Sequence, residues 1–265
     1  MKNRPIGIFD SGVGGLTVVK QMFKRLPNEE IVYLGDTARV PYGTKSPETI
    51  KRFAVENADF LMKFKVKLIV VACNTASSTS LDILREKFSI PIVGVIKPGA
   101  EKAVQITRNN KVGIIGTYTT IKSKAYEKEI RHFSRDVEVA SKACPLFVPL
   151  VEEGWLKEDV TFDIVKKYLK PLMAKKIDTL ILGCTHYPLL KYAISKVAGR
   201  QVKIIDSASS VADEVHNILM ALGKLSEQKK TRHRFFATDA VEHFVRVGEK
   251  FLGTKINKAE RANYV

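Results

Sequence analysis

The chain has 265 residues, 45% of them hydrophobic and 27% charged, the balance of a globular protein with apolar material for one large core or two modest ones. Its apolar runs, such as LIVVA at 68–72, fall far short of the roughly 20 residues that cross a bilayer, which excludes a helical membrane protein. The formal net charge of +16 would suit a nucleic-acid surface, but Lys and Arg are scattered and the one dense cluster, KKTRHR at 229–234, has no interleaved aromatics, so a solvated basic surface that attracts small anions is expected.

In chain order, MKNRPIGIFDSG lacks the build of a signal peptide, so a cytoplasmic protein is expected. IGIF (6–9) predicts the first strand and runs into the glycine-rich loop DSGVGGLTV (10–18); LTVVKQMFKRL (16–26) predicts a helix. The strand IVYLG (31–35) precedes the loop PYGTKSP (41–47), where Ser46 reads as an N-cap and Pro47 as the first helical residue. LIVVA (68–72) predicts a strand that stops at Cys73, followed by the helix LDILREKF (81–88) and the strand IVGVI (92–96). Further strands are predicted at VGIIG (112–116), VEVA (137–140), LILG (180–183), VKIID (202–206) and RFFAT (234–238). A helix is predicted from Thr161 to about Lys176, with Pro171 expected to kink or break it. Short β-branched runs alternating with longer amphipathic segments predict an α/β fold of mostly parallel sheets flanked by helices.

The chain also echoes itself. IGIFDSG and VGIIGTY both run from a strand into small polar residues, and LIVVACNTA is echoed by LILGCTHYP. Gly7 to Gly113 and Cys73 to Cys184 are similar offsets in the same order, which points to a duplicated α/β unit. Two pseudo-symmetric domains are expected, residues 1–97 with 207–265 and residues 98–206, with the active site between them. Each copy then places a cysteine at the carboxyl end of a parallel strand, where ligands of open α/β sheets bind.

Cys73, Cys144 and Cys184 are odd in number and widely spaced, which argues against a disulfide framework or a zinc knuckle. Cys73 and Cys184 each end a strand before polar residues, Asn74-Thr75 and Thr185-His186. A helix N-terminus at such a place is expected to lower a thiol pKa and to suit a carboxylate ligand. Two acid–base groups on opposite faces of one carbon are what inversion of a stereocentre requires. A cysteine hydrolase needs one thiol, a histidine and an oxyanion hole, and would leave the other thiol idle. His186 lies two residues from Cys184, whereas Cys73 is expected to draw on Asp10 at the end of the first strand. The 10–18 loop carries Thr17 where a dinucleotide fingerprint needs glycine, and no phosphate-binding P-loop exists, so the loop reads as close backbone approach to a small ligand. Tyr42 and Gly43 are placed on the same rim. Cys184 and His186 lack further ligands at metal spacing.

DSGVGGLTV, PYGTKS (41–46), VVACNTAS (70–77) and LGCTHYPLL (182–190) together resemble, in order and across essentially the whole chain, the signature blocks of the bacterial glutamate racemases. The resemblance implies interconversion of L- and D-glutamate with no cofactor, neither pyridoxal phosphate, metal nor nucleotide, supplying D-glutamate for peptidoglycan. It implies Cys73 as the base for D-glutamate and Cys184 for L-glutamate, assisted by Asp10 and His186. The implied substrate contacts are Asp10, Ser11, Tyr42, Gly43, Asn74, Thr75, Thr185 and His186, with Thr117 and Thr120 from GTYTTIKS and Glu152 from PLVEEG. A homodimer is implied, and a DNA gyrase interaction only by analogy with some members. Racemisation of aspartate or another amino acid, and a regulatory binding protein, are the rival readings. Cys144 matches no block and is expected to be structural.

Overall fold

The computed structural model describes residues 2–264. Its strands are β1 (Ile6–Asp10), β2 (Ile31–Gly35), β3 (Leu68–Val71), β4 (Ile92–Gly94), β5 (Lys111–Gly116), β6 (Glu138–Ala143), β7 (Thr179–Gly183), β8 (Lys203–Asp206), β9 (Arg234–Ala237) and β10 (Ala259–Arg261). All pairings are parallel, in a six-stranded sheet of order β10-β9-β2-β1-β3-β4 and a four-stranded sheet of order β6-β5-β7-β8. The run β2-β1-β3-β4 has the same order as β6-β5-β7-β8. The internal echo is thus a repeat of topology: β1 corresponds to β5, and β3 to β7. Strands β1, β2, β3 and β7 are buried along their whole length, because helices cover both faces of the sheets.

The helix Leu16–Arg25 follows the glycine-rich loop and buries Leu16, Val19 and Met22, one stripe at helical spacing, while Lys24 and Arg25 complement its C-terminal dipole. The helix Pro47–Met62 starts as expected: Ser46 Oγ accepts from the Thr49 N–H at 3.3 Å and Pro47 occupies the first turn. Ser46→Ala is expected to lower stability by about 1 kcal/mol, seen as a lower urea midpoint at unchanged slope.

Three expectations change. The strand expected at 92–96 ends at Gly94, and Ile96 opens the helix Ile96–Ile106, whose Ile96, Ala100 and Ala103 pack with Ile114, Ile181 and Ile205 of the second sheet. Residues 97–99 therefore lie in a helical first turn. The helix Asp159–Met173 runs through Pro171 without a break and ends two residues beyond it. Strand β10 went unpredicted, since Ala-Glu-Arg carries no apolar signal; it is a short edge strand with Glu260 and Arg261 exposed.

Candidate active site

The carboxyl ends of β1 and β3 from one sheet, and of β5 and β7 from the other, border one cavity of about 390 Å³. Its walls include Ser11, Tyr42, Gly43, Cys73, Asn74 and Thr75 from the first half of the chain, and Thr117, Glu152, Cys184, Thr185 and His186 from the second. Both thiols are almost fully buried, 5% exposed at Cys73 and 7% at Cys184, and so are shielded from bulk water. Sequence reasoning missed Val40, Thr44, Tyr118, Pro145, Val148 and Pro149, which also line the cavity. They lie within or beside the recognised blocks, and nothing in their residue types singled them out.

The two thiols sit in unlike electrostatic settings. Cys184 Sγ lies 3.9 Å from His186 Nδ1, and His186 Nε2 lies 3.1 Å from Glu152 Oε1. Burial alone would push His186 down, but the hydrogen bonds and negative charges of Cys184 and Glu152 outweigh it and raise the imidazole pKa to about 10. The hydrogen bond from His186 in turn lowers Glu152 against the opposing effect of its burial. The Phe251 ring, from the helix Val241–Leu252, packs edge-on against the His186 ring at 5.4 Å and holds it in place. Nothing in the local sequence announced Phe251.

Cys73 contradicts the expectation of a lowered thiol pKa. Burial, and then the neighbouring Asp10 carboxylate, push it up to about 12, against weaker pulls from the Ala76 N–H and the Ser11 hydroxyl. The helix it precedes is a single turn, Asn74–Ser77, too short for its N-terminus to win. Asp10 lies behind the wall, fully buried, accepting from the Gly12 N–H at 3.1 Å and from Thr185 Oγ1 at 3.3 Å. Its burial raises its own pKa, partly offset by His186 and the loop N–H groups. Burial thus shifts the pKa values of Asp10 and Cys73 in the same direction, upward.

The glycine-rich loop does make a close backbone approach, but to protein. A Cβ at Gly14 would stand 2.6 Å from His186 Nδ1 and also strike Thr185 Oγ1. Gly43 is the matching contact on the opposite rim, where a Cβ would stand 2.6 Å from Thr117 Cβ. Tyr42 contributes its ring and backbone, because its hydroxyl is bound by Asp36 and by Asn57 Nδ2 at 3.0 Å. Thr75, Thr117 and Thr120 form a hydroxyl triangle with sides of 2.9, 3.3 and 3.0 Å across the two halves. Thr120 is buried behind the wall. Thr119 donates to the carbonyls of Gly43 and Lys45 at 3.0 and 3.2 Å, closing the rim. Cys144 is fully buried and lies off the cavity wall. Among the described residues no group of three or more His, Cys, Asp or Glu side chains is placed to hold a metal, and no helix is long and apolar enough to cross a membrane.

The profile of the Asp/Glu/hydantoin racemase family matches residues 6–215. A glutamate racemase of Geobacter metallireducens is 52% identical over 96% of this chain and 94% of its own. The chain belongs to the Asp/Glu/hydantoin racemase family, among its glutamate racemases. As a member it is an isomerase, and the shared architecture is near complete. The crystal structure of a glutamate racemase from Bacillus anthracis superposes with a TM-score of 0.96 at 43% identity, covering 99% of this chain and 98% of that one. A glutamate racemase from Francisella tularensis, solved in complex with D-glutamate, gives 0.94 at 42% identity with the same coverage. The family's two-sheet architecture is the one whose duplicated corners carry Cys73 and Cys184 here.

Proposed function

We propose that this chain interconverts L- and D-glutamate by proton transfer at Cα between two cysteines, with no cofactor, supplying D-glutamate for peptidoglycan. The observation that carries the reading is the convergence of Cys73 and Cys184, from equivalent corners of two like sheets, on one cavity. In the L-to-D direction Cys184 acts as thiolate and removes the Cα proton, while the Cys73 thiol delivers its proton to the opposite face. In the D-to-L direction the roles reverse: Cys73, as thiolate, removes the Cα proton, and the Cys184 thiol delivers its proton to the opposite face. The His186 imidazolium, held by Glu152, supplies positive charge beside Cys184 and stabilises negative charge on that sulfur.

The carbanion that forms at Cα has no electron-sink cofactor in this scheme, so its stabilisation falls on fixed donors around the carboxylate. Ser11, Asn74, Thr75 and Thr185, with the backbone of Tyr42 and Gly43, provide that donor set on the cavity wall. The related enzyme solved with D-glutamate supports a five-carbon diacid as the occupant. The rim contacts of Thr119 with Gly43 and Lys45, and of Thr75 with Thr117, join the two halves beside the cavity. We therefore include in the proposal a hinged closure between residues 1–97 with 207–265 and residues 98–206.

The test is incubation of cofactor-free protein with L-glutamate in deuterated water. Optical rotation is expected to fall to zero while the Cα proton signal disappears by NMR. If glutamate kept both its rotation and its Cα proton while aspartate exchanged, the substrate assignment would be overturned.

A further inference from the structure

Asn74 is the first residue after the catalytic corner of β3, and its side chain is held from the other half of the protein. Tyr126, in the helix Ala125–Phe133, donates its hydroxyl proton to Asn74 Oδ1 at 2.7 Å. The same hydroxyl lies 2.8 Å from Ser207 Oγ, at the start of the helix Ser207–Ala221. A phenol has one proton; with that proton on Asn74, Ser207 must be the donor to the phenol oxygen. Burial keeps the Tyr126 hydroxyl protonated far beyond neutral pH, so it always has a proton to give. The ring cannot swing away. It is 2% exposed and lies against the backbones of Gly99 and Gly183, where a Cβ on either glycine would stand 3.3 or 3.2 Å from a ring carbon.

The other end of the Asn74 amide is left free. Its nitrogen takes no protein partner among the described residues and is not sealed from solvent, and Asn74 lines the cavity. We infer that Tyr126 is a positioning residue, which fixes the Asn74 amide with its oxygen inward and its NH2 group aimed into the cavity as a donor to a substrate carboxylate. This rests on the reading of Asn74 as a substrate contact. Because Tyr126 belongs to the second half and Asn74 to the first, the donor is aligned only while the two halves are docked. The donor array for the carboxylate is thus assembled by closure.

A double-mutant cycle on steady-state glutamate kinetics tests this. Tyr126→Phe keeps the ring and removes the proton, and is expected to raise KM and to lower kcat/KM about five- to tenfold, as loss of one orienting hydrogen bond predicts. Asn74→Ala is expected to raise KM as well, and adding Tyr126→Phe to it should change nothing further, since the amide to be oriented is gone. Ser207→Ala, which leaves ring and amide contact intact, should give a smaller rise in KM and covers the case in which Tyr126→Phe folds poorly. A raised KM in Asn74→Ala with wild-type KM in Tyr126→Phe and Ser207→Ala overturns the positioning role alone. Additive effects in the double variant, or a fall in kcat at unchanged KM in Tyr126→Phe, also overturn it. Wild-type KM in Asn74→Ala removes Asn74 from the substrate contacts, and the inference falls with that reading.

Discussion

Alanine at either Cys73 or Cys184 is expected to slow interconversion of L- and D-glutamate by about 10³-fold or more, within the range that a positioned acid or base contributes. In the proposed scheme each direction uses both sulfurs, one to take a proton and one to give it, so neither variant should retain half of the racemisation. Exchange without inversion is a different matter. In Cys73→Ala the Cys184 side is intact, with His186 and Glu152 in place. That variant is expected to wash deuterium slowly into L-glutamate with retained configuration, and Cys184→Ala into D-glutamate. Chiral chromatography with mass detection separates the two signals. Racemisation by either variant above a tenth of the wild-type rate would show that one thiol suffices, and the two-base scheme would fail.

Glu152→Gln is expected to lower kcat/KM about 10- to 100-fold, the range for a hydrogen bond to a charged partner. It should also move the basic limb of the pH profile down by about one pH unit, because His186 loses a charge that holds it protonated. Stability follows with a defined sign. The raised His186 contributes most below its reference value of 6.5, and that contribution is lost as pH rises through about 10. The depressed Glu152 contributes above its reference value of 4.5 and is lost as pH falls through its folded value. The gap in Tm between wild type and Glu152→Gln should therefore be widest between pH 4.5 and 6.5 and shrink in both directions. A pH-independent gap, with an unmoved basic limb, would assign Glu152 a packing role only.

Much of this was legible in the chain because strands buried on both faces write themselves as apolar runs. LIVVA and LILG, each running into a cysteine, mark the duplicated corners. Ser46-Pro47 announced its helix because capping is local chemistry. What could not be read depends on distant partners. Cys73 looked like an activated thiol from its neighbours in sequence, yet Asp10, sixty-three positions away in the chain, together with deep burial, decides its state the other way. Tyr42 reads as a substrate contact with no sign of which atoms serve, and Asp36 and Asn57 claim its hydroxyl, leaving its ring and backbone at the wall. Phe251 and Tyr126 reach the site from helices whose sequences show only ordinary amphipathic faces. Strand β10 is recruited by pairing with β9, and its own composition is silent.

The unequal helpers of the two sulfurs, a carboxylic acid behind one and an imidazolium–carboxylate pair beside the other, meet a limit set outside the protein. Enantiomers have the same free energy in water, so the equilibrium constant of the proposed reaction is one. The ratio kcat/KM must then be identical for L- and D-glutamate in wild type and in every variant. The asymmetry of Asp10 against His186 and Glu152 can only divide that shared ratio differently, giving one enantiomer tight binding with slow turnover and the other weak binding with fast turnover. A substitution on one side of the cavity therefore cannot make the enzyme directional; it can only move the concentration at which each hand of glutamate saturates it.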